Sequence, residues 1–204
     1  MRIGAVILPE HRWPEAGRRW RRAEELGFDH AWTYDHLAEF VGLTDLLLRE
    51  PATSSTGRFY SAHEARMIPG CVQQPRVPFA IAAFGPRAMR VAAMHGEYWV
   101  TVGDPSIAGP LPGPEGAAVV AERMRRLDDV CSEVGRDPAT LRRLVLTGVL
   151  LAAGVSSVES FTATRDAYES VGVTDLVVHW PRRDGVYAGD EATFETICSE
   201  VLQG

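Results

Sequence analysis

Lysine is absent from this chain of 204 residues, whose 21 basic residues are all arginine. That excludes Schiff-base catalysis by a lysine and the lysine of a phosphate-binding P-loop. Cysteine is scarce as well. Cys71, Cys131 and Cys198 are odd in number and far apart, and they form neither a disulfide framework nor a metal-ligand spacing. A reducing cytoplasm is the compartment this usage predicts. Long hydrophobic runs are missing too. The apolar residues 3–8 are followed at once by Glu10, His11 and Arg12, so they read as a strand and not as a signal peptide. No run approaches membrane-spanning length. There is no excess of positive charge. The net charge is -6, which gives no electrostatic footprint for nucleic acid. Neither an internal repeat nor a low-complexity tail is present.

What remains is a chain with 46% hydrophobic and 24% charged residues, enough for one sizeable core in one domain. Its pattern alternates. Residues 3–8 are an apolar strand, and 14–26 a helix with Ala16, Trp20, Ala23 and Leu26 on one face, stopped by Gly27. Residues 28–33 are a second strand. A short helix over about 39–49 leads into the polar segment 50–61, which reads as a loop. Strand 78–83 is followed by helix 86–95, strand 98–102 and a Gly/Pro-rich loop.

The clearest helix covers 114–134. Ala117, Val120, Met124, Leu127, Cys131 and Val134 keep a three–four spacing, and Gly135 ends it. Strand 144–151 comes next, then a helix with a capping box of Ser156 and Glu159 that ends before Gly172. Strand 174–179 and a helix capped by Asp190 complete the chain. Six strands alternating with helices predict a parallel sheet with helical crossovers, closed or nearly closed.

In such folds the loops after the carboxyl ends of the strands carry the chemistry. They bring forward His11, Asp35, His36, Arg87, Thr101, His179, Arg182 and Arg183, with Trp13, Tyr34 and Trp180. This set of imidazoles, aromatics and arginines suits an anionic, aromatic ligand better than a divalent metal or a two-carboxylate hydrolase. The segment Ala83-Phe84-Gly85-Pro86-Arg87 stands out. An apolar strand there hands over abruptly to a helix with Pro86 in its first turn, so backbone N–H groups and the helix dipole converge where a phosphate could sit. Gly85 would let the anion approach. His30, His63 and His95 belong to no constellation, and His11 reads as a solvated loop residue. His179 and Trp180 could close a pocket floor or simply pack.

The segment Phe28-Asp29-His30-Ala31-Trp32-Thr33-Tyr34-Asp35-His36-Leu37 resembles the second-strand signature of the bacterial-luciferase-like oxidoreductases. Pro69-Gly70-Cys71-Val72-Gln73-Gln74-Pro75-Arg76-Val77-Pro78 is similar to that family's lead-in to its fifth strand. Gly85-Pro86-Arg87-Ala88-Met89-Arg90-Val91-Ala92-Ala93 with Trp99-Val100-Thr101 resembles its cofactor-phosphate turn, helix and sixth strand. Gly172-Val173-Thr174-Asp175-Leu176-Val177-Val178 fits its eighth.

The resemblance implies a TIM-type (β/α) barrel, a single domain over residues 1–204 that is incomplete at about six strands. The family segment holding the third and fourth strands is missing between Leu37 and Ala38. It implies FMN or coenzyme F-420 as cofactor, without choosing between them, and hydride transfer or oxygen activation on a small organic substrate. His36 is the implied catalytic residue. Ala83, Phe84, Gly85, Pro86, Arg87 and Thr101 are the implied cofactor contacts, with no metal. A non-catalytic flavin-binding or protein-interaction remnant of the same fold is the alternative. Open strand edges left by the missing segment predict a homodimer or larger assembly with residues 37–48 near the interface. No nucleic-acid or membrane partner is expected.

Overall fold

The computed structural model describes residues 4–6, 17, 18, 21, 25, 30–32, 37–179, 181–185 and 187–202. The chain divides into two compact units, Met1–Val77 and Pro78–Gly204.

In the first unit, β1 (Gly4–Val6) and β2 (His30–Trp32) run parallel, with Gly4 opposite His30 and Val6 opposite Trp32. The helix expected between them lies mostly outside the described residues, although Gly17, Arg18, Arg21 and Glu25 are helical. Helix α1 (Leu37–Arg49) follows.

The polar segment expected to be a loop forms instead an antiparallel hairpin of β3 (Thr53–Thr56) and β4 (Ser61–Ala65). Its small polar residues show no hydrophobic alternation, so nothing in the pattern marks strands. A side chain from α1 organises the turn: Glu39 Oε1 accepts from the amides of Phe59 and Tyr60, both at 2.8 Å. A Cβ on Gly57 would overlap that same carboxylate, so only glycine fits. Asp45 ties α1 to the end of the unit. Its carboxylate accepts from Arg49 Nε at 2.8 Å and from Arg76 Nε, and the Arg76 side chain is 2% exposed.

The second unit is built on a four-stranded parallel ladder. Its members are β5 (Ala80–Ala82), β6 (Tyr98–Thr101), β7 (Arg142–Leu146) and β8 (Asp175–Val177), hydrogen-bonded in that order. Six of the described strands pair in parallel, β1 with β2 in a sheet of the first unit and β5 to β8 in this ladder, which does not close into a ring. Parallel pairing requires crossovers. Helices α2 (Pro86–His95), α3 (Gly113–Glu133) and α4 (Val158–Ser170) provide them, and α5 (Glu191–Ile197) follows β8.

The expected stripe on α3 is buried, with Val120, Leu127 and Cys131 fully covered. Gly135 ends the helix at φ +73°, where a left-handed residue lets the following amides return to its last carbonyls. Asp190 caps α5 through the Thr193 amide at 2.8 Å.

Two local expectations are corrected. The cap of α4 is Ser157, one residue beyond Ser156, and it accepts from the Ser160 amide at 3.1 Å. The strand expected over 144–151 starts two residues earlier and stops at Leu146. Arg142 and Arg143 can open it because both are paired. Arg142 grips Asp175 in a fork, and Arg143 reaches Asp128 and the carbonyls of Pro138 and Leu141. The apolar run beyond Leu146 breaks at Gly148, whose φ of +148° no strand accommodates. Leu151 then pairs only as an isolated bridge with Leu111. No helix among the described residues is long and apolar enough to cross a membrane.

Two stability tests follow from this packing. The Tyr168 side chain is buried, its hydroxyl has no hydrogen-bond partner among the described residues, and burial pushes its pKa up to about 12. A Cβ on Gly116 would overlap that hydroxyl. Tyr168→Phe should therefore hold or raise the thermal midpoint, because an unpaired buried hydroxyl is removed. Gly116→Ala should lose about 1–3 kcal/mol by overpacking, and the double variant should recover part of it; denaturant titration measures all three.

In the first unit, burial raises the pKa of Asp45, but hydrogen bonds and charge from Arg76 and Arg49 outweigh it and leave it below the ordinary 3.8. A depressed carboxylate stabilises above its unfolded value and loses that contribution as pH falls through the folded one. Asp45→Asn should be less stable than wild type at pH 6, and the difference should shrink below about pH 4. A pH-independent difference would contradict the assignment.

Candidate functional site

The ladder's register brings its carboxyl ends together in the second unit. Ala82 lies opposite Val100, Thr101 opposite Val145, and Leu146 opposite Val177. The segments that leave these ends are Ala83 to Arg87, Thr101 to Asp104, the residues from Thr147 onward, and the stretch around His179.

At the end of β5, Ala83 is buried and held from both sides. Its amide donates to the Val100 carbonyl at 3.2 Å, and its carbonyl accepts from the indole of fully buried Trp99 at 2.9 Å. Phe84 turns outward and is 50% exposed. Gly85 is the N-cap of α2, with φ −96° and ψ 168°, an extended conformation that any residue adopts. No side chain caps the helix, and Pro86 occupies its first turn. The first-turn amides of a helix have no acceptor within it, so those of Arg87 and Ala88 face outward with the positive end of the dipole behind them. A Cβ built on Gly85 meets nothing within 4 Å. The fold itself therefore does not require glycine here. Arg87 is exposed and makes no ion pair among the described residues.

Next to this turn, Thr101 is 5% exposed. Its Oγ1 accepts from the Gly103 amide at 3.2 Å and so shapes the loop after β6. Gly103 has φ +102°, a backbone that favours glycine, and a Cβ there would press on Leu151 at 3.0 Å. Asp104 closes the loop by accepting from the Ser106 amide at 2.8 Å and the Ser106 hydroxyl at 2.6 Å. Those bonds, with the charge of Arg123, set its pKa below the usual carboxylate range.

Arg123 escaped the sequence reading. It sits on α3 and is 3% exposed. Nη1 donates to the Phe84 carbonyl at 3.1 Å and Nη2 to Asp104 Oδ2 at 3.2 Å, while the guanidinium carbon lies 3.6 Å from the centre of the Phe84 ring. Its Nε has no partner among the described residues. Burial lowers its pKa and the Asp104 charge opposes the shift; a guanidinium nevertheless stays charged. A signal was available: Arg123 stands three residues after Val120 and four before Leu127, a charge set inside an apolar stripe.

The loop after β7 was also missed, hidden by the apolar run that contains it. Thr147 is buried, and its amide and hydroxyl both donate to the Val177 carbonyl, at 2.9 and 3.0 Å. His179 stacks on Tyr187 with ring centroids 3.9 Å apart, and Arg182 lies 5.3 Å from the same ring. Gly148 sits under this stack, where a Cβ would come within 2.9 Å of the Tyr187 ring. His179 thus has an aromatic partner that the sequence did not single out.

The structure brings Ala83, Phe84, Gly85, Pro86 and Arg87 together with Thr101 on adjacent strands. His36 lies outside the described residues, as do His11, Trp13, Tyr34, Asp35 and Trp180. Among the described residues, no three His, Cys, Asp or Glu side chains gather as a metal site would need.

Residues 33–184 match the family model described as luciferase-like monooxygenase. No curated protein sequence matches the chain. Among solved structures, a coenzyme F-420-dependent secondary alcohol dehydrogenase, determined with an adduct of F-420 and acetone, superposes with a TM-score of 0.57 at 11% identity. The alignment covers 99% of this chain and 98% of the dehydrogenase. The coenzyme F-420-dependent tetrahydromethanopterin reductase of Methanopyrus kandleri gives a TM-score of 0.56 at 10% identity, with the same coverage of each chain. At such identities the likeness speaks for the fold, and that fold is the one built above from β5 to β8. The family model spans three quarters of the chain and includes every segment of the candidate site in the second unit up to Asp184. On that match this chain is a member of the luciferase-like monooxygenase family, in an internally shortened form with an incomplete barrel.

Proposed function

We propose that this chain is an oxidoreductase that holds FMN or coenzyme F-420 by a phosphate at the start of α2 and acts on a small organic substrate. The observation that carries the reading is Gly85. Its backbone does not need glycine and its neighbourhood leaves a Cβ free, yet it stands at an uncapped helix N-terminus beside outward-facing amides. An anion is the ligand such a terminus lacks. The solved relatives add weight, since both are named for their dependence on coenzyme F-420.

When bound, the flavin or deazaflavin would supply the hydride or oxygen chemistry. The amides of Arg87 and Ala88 would hold the phosphate, with Arg87 adding an exposed charge. Phe84, half exposed at the turn, would shield the cofactor from water. Thr101 would act through the loop it shapes. His36 is assigned the proton-handling role, since an imidazole titrates near neutrality. We read residues 1–204 as one shortened barrel domain whose missing segment falls between Leu37 and Ala38, at the point where α1 begins. Open strand edges there favour a homo-oligomer with α1 near its interface.

Titrating the purified protein with FMN and with coenzyme F-420, following cofactor fluorescence, tests the reading. Saturable binding of one of them is expected. Binding of neither would overturn it, and binding without turnover would favour a non-catalytic remnant.

Two substitutions sharpen the test. Gly85→Val should leave thermal stability nearly unchanged, because its Cβ enters open space. It should weaken FMN binding much more than binding of riboflavin, which lacks the phosphate. Gly85→Asp should act more strongly, since its carboxylate would cap the helix and occupy the anion's place. Equal losses for the two ligands would reduce the turn to a tight strand–helix connection. His36→Ala should lower turnover by about 10²–10⁴-fold with little change in melting temperature, as for loss of one acid–base group. Turnover equal to wild type would remove His36 from the mechanism.

A further inference from the structure

We propose that Arg123 is the positioning residue of the phosphate turn, a buried clamp that fixes the peptide before α2 by tying it to the loop after β6. This rests on the phosphate reading above and extends it to a residue on a different element.

The geometry is specific. The carbonyl that Arg123 holds belongs to Phe84, the residue immediately before the N-cap Gly85. The peptide plane that begins at that carbonyl leads directly into the turn whose amides face outward. The second guanidinium arm holds Asp104 Oδ2, while Asp104 Oδ1 is already occupied by Ser106. Both carboxylate oxygens are therefore engaged, one within the loop after β6 and the other by Arg123. The Phe84 ring covers the guanidinium from the side. One cation thus contacts a backbone carbonyl, a carboxylate and an aromatic face, which requires a planar group with diverging donors. Lysine, with a single charged nitrogen, cannot make all three contacts.

Among the described residues, no other side chain holds the turn between Ala83 and α2. The helix has no side-chain cap, and Gly85 contributes no packing. Its direction is set by Ala83 from the strand side and by Arg123 from the helix side. Without Arg123 the amides of Arg87 and Ala88 would still exist, but they would no longer converge on one point. A site that binds through backbone donors depends on this kind of preorganisation.

The experiment compares wild type, Arg123→Met, Arg123→Lys and Asp104→Asn in two measurements. The first is the ratio of FMN to riboflavin affinity. The second is hydrogen exchange, without ligand, of the two hydrogen-bonded amides that flank the turn, Ala83 to the Val100 carbonyl and Met89 to the Gly85 carbonyl. Arg123→Met should reduce the FMN preference by about tenfold, the size of one charged hydrogen bond. Riboflavin affinity should change by less than about twofold. Exchange of the hydrogen-bonded amides of Ala83 and Met89 should quicken. Arg123→Lys should recover little of either effect. Asp104→Asn, which leaves the guanidinium in place and is the variant to use should Arg123→Met fail to fold, should give the same changes at smaller size.

A merely structural arginine would lower both affinities together, and that outcome overturns the proposal. So does unaltered exchange of the Ala83 and Met89 amides in the folded variants, whatever the ligands do. If wild type shows no preference for FMN, the phosphate reading fails by itself. Accelerated exchange confined to the Ala83 and Met89 amides would then still support the clamp.

Discussion

The parallel ladder from Ala80 to Val177 is the constraint from which the rest of the second unit follows. Parallel strands cannot be joined by tight turns, so each must be followed by a covering element that returns the chain to the same edge. Every loop leaving a carboxyl end then emerges on one side, and every loop entering an amino end on the other. The two sides are finished differently. At the amino end, Arg142 forks onto Asp175, and Arg136 donates to the carbonyls of Ala93 and Gly96 at 2.9 and 2.7 Å. Polar groups there are consumed by the fold. At the carboxyl end the N-terminus of α2 is left without a cap, and rigidity is supplied from behind by buried groups such as Trp99, Thr101 and Arg123. A barrel-type fold that does not close keeps this division, because it belongs to each strand–helix unit and not to the ring.

Much of this could be read from residues. The stripe on α3, the glycine that ends it and the aspartate that caps α5 obey local rules, and tertiary context only reinforced them. The β3–β4 hairpin was illegible for a clear reason. Threonine, serine and alanine carry no periodic signal, and the pairing depends on Glu39, a residue on a different element that fixes the turn. The stop of β7 was obscured by the opposite effect, a run so apolar that the positive φ of Gly148 left no trace in the pattern.

The site divides along the same line. Its backbone parts were visible, since a strand that hands over to Gly85 and Pro86 announces an abrupt turn. Its supporting parts were not. Arg123 lies nineteen residues from Asp104 and thirty-nine from Phe84, and only folding brings the three together. The fold persists at an identity of 10–11% to the solved structures for a related reason. What must persist is the alternation of strand and crossover and the shape of the turns, and many sequences meet those demands.

The buried guanidinium has a bearing on how the second unit assembles. Helix α3 could coil early, since its stripe is local, but docking that stripe would strip Arg123 of water. Until Phe84 and Asp104 are in place, the charge would be buried with nothing to receive it, a penalty of several kcal/mol. Docking of α3 is thereby made conditional on the two loops, which binds helix and strands into one cooperative event. Truncating Arg123 would uncouple them, and the helix would gain a route onto a half-formed sheet that the native chain forbids.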